Sequence, residues 1–221
     1  MIESRSTLSG ADLARLRQAC YRLLAAGYRP PSAGGAEEVV FGMEALEDMG
    51  LGRFAFAAAL RRWVSALADA DRAAAGEEQV RLFGSGMDGA VCPPIESQCV
   101  GNNRAGDPAR HAARLQRLMR RAGFAVRHPE WPLDHLLVEL ELASALCRRE
   151  AEAWESDADA ATWLEQEREL VGVMAAWVPG LATTVEARDR VGVLTALTRA
   201  SSDYVLHDHD VIRLLLERGS S

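Results

Sequence analysis

Apolar residues recur at helical spacing along most of this chain, and that pattern limits the fold more than any other feature. In the first such stretch, one side of a helix would carry Leu13, Leu16, Cys20, Leu23 and Leu24. Ala and Leu together account for 65 of the 221 residues, whereas aromatic residues make up only 6%. Small and straight-chain side chains favour packed helices over sheets. The sequence therefore predicts an all-α fold, an irregular bundle of about eight helices.

Capping residues, glycines and prolines mark the ends of the predicted helices. Ser9 is the predicted N-cap of the first helix, with Asp12 three residues later in the position of a capping box. Pro179 is expected to separate two helices near the C-terminal end. The predicted helices cover residues 10–27, 37–49, 54–75, 108–123, 132–153, 159–177, 179–199 and 203–218, and residues 77–83 could form a further short helix.

The periodicity disappears between residues 84 and 108, where Gly, Pro, Asn and Asp dominate. A loop this long in a compact protein is usually functional or disordered. We interpret a second break, at 125–131, as a hinge between an N-terminal helical lobe, 1–124, and a C-terminal lobe, 132–221. One compact domain is the alternative. A hinge permits either a monomer or a domain-swapped dimer.

Charge and cysteine content exclude several classes of protein. The formal net charge is −7 and all 25 basic residues are Arg, which argues against a general nucleic-acid binder and against lysine-based chemistry. The first ten residues lack the apolar core of a signal peptide, and the longest weakly polar stretch, 171–182, is too short to span a bilayer. The four cysteines have no paired spacing, so we expect reduced thiols in a cytoplasmic protein without membrane insertion.

The segment most suggestive of function is Pro-Glu-Trp-Pro-Leu-Asp-His, residues 129–135, at the start of a helix that should be buried. Asp134 beside His135 could transfer protons or bind a cationic ligand. With Glu139, the pair could form the centre of a hydrolytic or metal-assisted enzyme. The structural alternative is that Asp134 is favoured by the helix dipole and that His135 pairs with Glu139.

Two further segments contain ligand-type side chains. The cysteines of the loop Cys92–Cys99 are seven residues apart, which matches no common zinc spacing. The apolar Ile95 within this loop indicates a structured loop that faces a ligand. His207 to Asp210 are four consecutive residues whose side chains would fan around a helix, so we predict a solvated first turn there. No metal site is expected.

A basic stripe follows Pro108 on the predicted helix and contains Arg110, Arg114, Arg117 and Arg121. Such a stripe is usually a solvated face, but it could hold a phosphate-bearing ligand. The candidate phosphate-binding residues are therefore Arg114, Arg117 and Arg121, and a guanine-nucleotide-binding protein is a further alternative.

The order of the motifs is more specific than any one of them. Leu82 and Phe83 precede Pro-Pro-Ile-Glu-Ser at 93–97, and a helix ending near Gly123 precedes Pro-Leu-Asp-His-Leu-Leu-Val-Glu-Leu at 132–140. This order resembles the TorD/DmsD/NarJ family of redox-enzyme maturation chaperones, over about residues 13 to 185. The stretch 17–24, followed by two prolines, is similar to the first helix of that family.

The resemblance implies a cytoplasmic, all-helical chaperone and not an enzyme. Such proteins bind the twin-arginine (Tat) signal peptide, or another segment, of the catalytic subunit of a DMSO-reductase-family molybdopterin oxidoreductase. They assist cofactor insertion before export or assembly, and hold no resident cofactor beyond a transient contact with the molybdenum cofactor or GTP. Carried over by motif, the client-binding residues are Leu82, Phe83, Pro94, Ile95, Glu96, Ser97, Pro132, Asp134 and His135. Some members have an aromatic residue at the position of Ile95 and many have a Tyr at that of Cys99, so weaker stacking here is expected to alter the choice of client.

A twin-arginine peptide presents two guanidinium groups followed by an apolar stretch, so its site needs carboxylates beside an exposed apolar groove. Carboxylates near the candidate residues in sequence are Glu78, Asp88, Glu96, Glu130 and Asp134. We therefore expect the loop 84–108 and the segment around Asp134 to fold together into an apolar trough edged with negative charge.

Overall fold

The computed structural model describes residues 8–30, 35–84, 89–100, 108–125 and 131–219. In these residues there are nine α-helices and one 3-10 turn, and the β-structure is limited to one isolated bridge. The helices are α1 Gly10–Tyr28, α2 Gly35–Asp48, α3 Ala57–Asp69, α4 Arg72–Phe83, α5 Glu96–Cys99, α6 Pro108–Ala122, α7 Leu136–Glu155, α8 Ala161–Glu186 and α9 Val193–Gly219; the 3-10 turn is Leu51–Arg53. The prediction of an all-α bundle is confirmed, and Ser9 caps α1 as predicted.

Helices α1 and α7 lie at the centre of the bundle. They run antiparallel, since Arg15 at one end of α1 pairs with Glu155 and Arg29 at the other end pairs with Glu141. Helix α8 packs mainly against α9, and α9 also packs against α3. One continuous apolar core contains buried residues from α1 to α4 and from α6 to α9. The core thus joins the two predicted lobes; residues 126–130 of the predicted hinge lie outside the described residues, and the division into lobes stays a prediction.

The helix predicted at 54–75 is wrong, because the chain breaks between α3 and α4. Asp71 caps α4 by accepting a hydrogen bond from the backbone N–H of Ala74 at 2.9 Å. The residues around this break are mostly Ala, which has the highest helix propensity, so the apolar pattern shows no interruption there. The cap alone marks the boundary.

The predicted boundary at Pro179 is also wrong, because this proline lies inside α8. Trp177, Val178 and Leu181 on either side of it are buried in the core. Their packing continues the helix although a proline removes one backbone hydrogen bond. The predicted helix 179–199 is divided between the end of α8 and the start of α9. Helix α9 then continues without a break through the predicted helix 203–218.

The prediction of a solvated turn at His207 to Asp210 is wrong too. These residues lie in the middle of α9, and Asp208 is only 1% exposed. The side chains do fan around the helix: Asp208 points into the core, whereas His207 lies against the rings of Phe54 and Phe56. None of the described helices combines the length and the apolar character needed to cross a membrane.

Candidate functional site

The loop before α5 and the residues before α7 fold against each other. Ile95 and His135 form an antiparallel bridge. The backbone N–H of Glu96 donates to the carbonyl of Asp134 at 2.9 Å, and that of Leu136 donates to the carbonyl of Pro94 at 2.8 Å. We call this pairing of residues 93–97 with 132–136 the corner. The structure thus brings Pro94, Ile95, Glu96, Ser97, Pro132, Asp134 and His135 together.

Asp134 and His135 use their side chains to hold the backbone of the corner. Asp134 Oδ2 accepts a hydrogen bond from the N–H of Ser97 at 3.1 Å. His135 is the N-cap of α7, and its Nδ1 accepts from the N–H of Leu137 at 3.1 Å. Burial lowers the pKa of His135 to about 4, so its imidazole is neutral at neutral pH. These contacts agree with a structural role. Among the described residues, each of the two side chains bonds a backbone N–H group, and they do not bond each other.

Behind the corner lies a partly buried charge network. Glu96 accepts from Arg114 at 2.8 Å and lies 2.9 Å from His111 Nδ1. Arg114 also approaches Glu139 Oε1 at 3.5 Å, and Trp177 donates to Glu139 Oε2 at 3.2 Å. Burial raises the pKa of Glu139 well above its usual value, with a further contribution from the charge of Glu96. The pairing of His135 with Glu139, which the sequence offered as a structural alternative, is absent among the described residues, since Glu139 pairs with Arg114 instead.

The apolar candidates lie in the core. Leu82, Phe83 and Ile95 are all less than 5% exposed, and Phe83 stacks on Tyr28 with ring centroids 5.6 Å apart. The N–H of Cys92 donates to the carbonyl of Leu82 at 2.7 Å and so links the loop to the end of α4. The predicted open apolar trough is therefore not seen at the described residues of the corner. An apolar residue in a polar loop can anchor the loop as well as face a ligand, and here it anchors the loop.

The carboxylates predicted to edge the trough are also occupied. Glu78 is buried and binds Arg81 as well as the N–H of Arg190. Glu96 and Asp134 are also buried: the carboxylate of Glu96 binds Arg114 of α6, and that of Asp134 accepts from the N–H of Ser97 within the corner. Asp88 and Glu130 lie outside the described residues. Their part in a negatively charged edge stays a prediction.

The arginine stripe on α6 divides between the interior and the surface. Arg114 turns inward to Glu96, Arg121 pairs with Glu169, and Arg117 is exposed. Two of the three candidate residues are thus bound to carboxylates. A bound phosphate would have to displace those carboxylates, and phosphate binding stays a prediction.

Two open grooves lie away from the corner. The first, which we call the apolar groove, has a volume of about 380 Å³ between α1, α2, α3, α4 and α9, and its lining includes Trp63, Leu67 and Leu197. The second, which we call the arginine groove, has a volume of about 680 Å³ between α1, α7 and the end of α6. None of the predicted client-binding residues lines either groove.

Sequence reasoning missed a buried ion cluster toward the C-terminal end of α7. The guanidinium of Arg17 binds Glu150, Glu167 and Asp208, each at 2.5 Å, and the hydroxyl of Tyr21 donates to Asp208 at 2.6 Å. The signal was present, because Arg17 lies at helical spacing among the apolar residues of α1.

That cluster includes a potential set of metal ligands. Among the described residues, Cys147, Glu150 and Glu167 are the one group of three whose ligand atoms all lie within 4.8 Å of one another. Arg17 already supplies the positive charge at two of these carboxylates. Asp134, His135 and Glu139 form no such group in the described residues, so the enzyme alternative has no converging centre there.

Comparison with known proteins tests the family predicted from the motifs. Residues 53–183, more than half of the chain, match the family described as nitrate reductase delta subunit. Over 108 residues the chain is 35% identical to the chaperone protein TorD of Aeromonas salmonicida; the match covers 48% of this chain and 50% of that protein. The chain therefore aligns with about half the length of this relative. No solved structure gives a significant match.

The matched region contains both sides of the corner and α7, where the predicted motifs lie. The members of this family are maturation chaperones, which supports the expectation that the chain is not an enzyme. The prediction made from the motif order is confirmed, and the chain belongs to the nitrate reductase delta subunit family, the TorD/NarJ type of molybdoenzyme chaperone.

Proposed function

We propose that the chain is a chaperone for the catalytic subunit of a DMSO-reductase-family molybdenum oxidoreductase. In this proposal it binds the twin-arginine signal peptide or another segment of that subunit in the cytoplasm, and it assists cofactor insertion before export or assembly. The observation that carries the proposal is the family match over residues 53–183. The name of the Aeromonas salmonicida relative, a chaperone, supports the same class of activity.

Client binding is tested with two measurements on the full chain. Calorimetric titration with twin-arginine leader peptides from neighbouring oxidoreductases should give saturable binding, and the catalytic subunit of one such enzyme should co-purify with the tagged chain. The second measurement covers a client that is bound through its mature part. A cooperatively folded protein that binds no leader and retains no catalytic subunit would contradict the proposal.

We further propose that the corner takes part in client binding and that a client reaches it when residues 89–100 separate from α7. Three hydrogen bonds hold the two sides, from the N–H groups of Glu96, Ser97 and Leu136, each contributing about 1 kcal/mol net. Burial of Ile95 adds roughly 1.5–3 kcal/mol. Separation would thus cost about 5 kcal/mol, so a client that binds here with net micromolar affinity, about 8 kcal/mol, must form contacts that contribute about 13 kcal/mol.

Substitutions at Asp134 distinguish client binding from a purely structural role. Asp134→Asn keeps an oxygen that can accept from Ser97 but removes the charge, so it should preserve stability. If the carboxylate binds a leader guanidinium, loss of about 1.5–3 kcal/mol weakens leader binding roughly ten- to a hundred-fold. Asp134→Ala should lose both stability and binding. Wild-type affinity in the Asn variant would refute the proposed contact.

A further inference from the structure

The arginine groove runs along the seam between two antiparallel helices. One wall is a single face of α1, from Gln18 through Arg22 and Ala25 to Arg29, and the opposite wall is a face of α7 that includes Arg148. From Gln18 to Arg29, at about 1.5 Å per residue, the wall is roughly 16 Å long. The groove therefore has the length of about three turns of an α-helix.

The floor of this groove combines small residues with the buried apolar side chains of Val138 and Leu142, and further apolar residues close its end. Ala25 and Ser144 are buried, and Ala145 lies beside them on α7, so the backbone of a bound segment can approach closely. Met119 and Phe124 from the end of α6 supply apolar surface at one end. A helix with an apolar face fits such a groove, since helices are recognised through residues at i, i+3, i+4 and i+7.

The charge of the groove is opposite to that of the whole chain. Its lining contains three arginines and one glutamate, whereas the chain has a net charge of −7. Arg29 pairs with Glu141 and with Glu38, and Arg148 pairs with Glu152. Arg22 is exposed and forms no ion pair with any residue that the structure describes. The groove thus retains a positive charge that a partner carboxylate can neutralise.

We propose that the arginine groove binds an acidic amphipathic helix of the client's mature part, a segment distinct from the twin-arginine leader. The inference rests on the proposed function for the identity of the partner. A leader with two guanidinium groups would meet like charges from Arg22, Arg29 and Arg148 in this groove. A segment with carboxylates beside an apolar face meets opposite charge along the walls and small residues at the floor.

The test uses two synthetic amphipathic helical peptides with the same apolar face, one with Glu and one with Lys on its flanks. Binding to the full chain is measured by fluorescence anisotropy at two salt concentrations. Overall charge alone would favour the basic peptide, because the chain is acidic. We expect the acidic peptide to bind at least tenfold more tightly, and its advantage to decrease at high salt.

Two substitutions and one matched control locate this binding. Arg22→Glu should weaken the acidic peptide at least tenfold, and Ala145→Phe should weaken both peptides by filling the floor. Arg62→Glu on α3 is the control, because Arg62 is also exposed, has no described ion-pair partner and lies outside the groove. It makes the same change in net charge and should leave the affinity unchanged.

The inference would be overturned if the basic peptide bound more tightly than the acidic one, or if Arg22→Glu and Arg62→Glu lost the same affinity for the acidic peptide. It would also be overturned if pyrophosphate displaced the labelled acidic peptide as well as the unlabelled peptide does, because that would indicate a site for small anions. The same variants separate this inference from the proposed function. If the inference is right, Arg22→Glu retains less catalytic subunit on co-purification but titrates leader peptides as wild type does. Undiminished recovery of the subunit by Arg22→Glu would overturn the groove alone.

Discussion

Replacing Arg17 with Met tests the buried ion cluster between α1, α7, α8 and α9. The side chains of Arg17, Glu150, Glu167 and Asp208 are all at most 3% exposed, and one guanidinium serves three carboxyl groups. Met preserves most of the apolar stem of Arg but leaves the carboxyl groups without their positive partner. Removal of one partner from a buried ion pair costs about 3–5 kcal/mol. For a chain of this size that corresponds to a decrease in Tm of roughly 6–20 °C.

The destabilisation should depend on pH, and its sign follows from Glu167. Burial raises the pKa of Glu167 from 4.5 to about 8 in the folded protein. The stability that this carboxyl contributes is therefore present below pH 4.5 and is lost as the pH rises through 8. Without Arg17 the remaining carboxyl groups also need protons to stay buried. The loss in Arg17→Met is thus larger at pH 8.5 than at pH 6.5.

The measurement is guanidinium denaturation followed by far-UV circular dichroism at both pH values. Arg15→Met is the matched control on the same helix, because Arg15 and Glu155 are each nearly half exposed. Such surface pairs contribute less than about 1 kcal/mol. The reasoning is refuted if Arg17→Met is no less stable than Arg15→Met, or if its loss of stability is the same at both pH values.

Three further substitutions test the packing and the corner. A Cβ at Gly27 would lie 2.6 Å from an indole carbon, so Gly27→Ala should lower the free energy of unfolding by about 1–3 kcal/mol in urea denaturation. A Cβ at Gly180 meets open space within its helix, so Gly180→Ala should raise that free energy by about 0.5–1 kcal/mol. Equal effects of the two substitutions would contradict the packing. Burial lowers the pKa of His135 to about 4, so the stability that its neutral form contributes is lost as the pH falls from 6.5 through 4. His135→Asn retains a capping oxygen and should reduce that loss of stability. An acid-unfolding transition at the same pH as in the wild type would argue against this assignment. Glu139→Gln should cost less than about 1 kcal/mol because burial already favours the neutral acid and the amide oxygen still accepts from Trp177; a large loss would show that the charge is required.

Local patterns in the sequence predicted much of the fold. Helical periodicity and the scarcity of aromatic residues predicted the all-α bundle, and the hydroxyl of Ser9 predicted the start of α1. The order of motifs from 82 to 140 predicted the family. These properties depend on residues within one or two helical turns of each other, or on their order along the chain. They can therefore be read without knowing which helices pack together.

The candidate site was predictable only in part. The sequence predicted that Ile95 and Asp134 belong to one site, and the structure brings them together. The sequence could not show that both residues are buried. An apolar residue in a polar loop has the same local pattern whether it faces a ligand or the core. The open arginine groove is formed instead by successive turns of α1 and α7, two helices that are far apart along the chain.

The sequence by itself determined that the chain forms helices and where most of these helices begin. It also determined the family to which the chain belongs. Only the tertiary structure decided that Pro179 stays within a helix and that Arg17 meets Asp208 from the other end of the chain. It also decided which arginines remain at the surface. The physical reason is that capping and periodicity act over a few residues, whereas burial and ion pairing depend on contacts between helices that are distant in sequence.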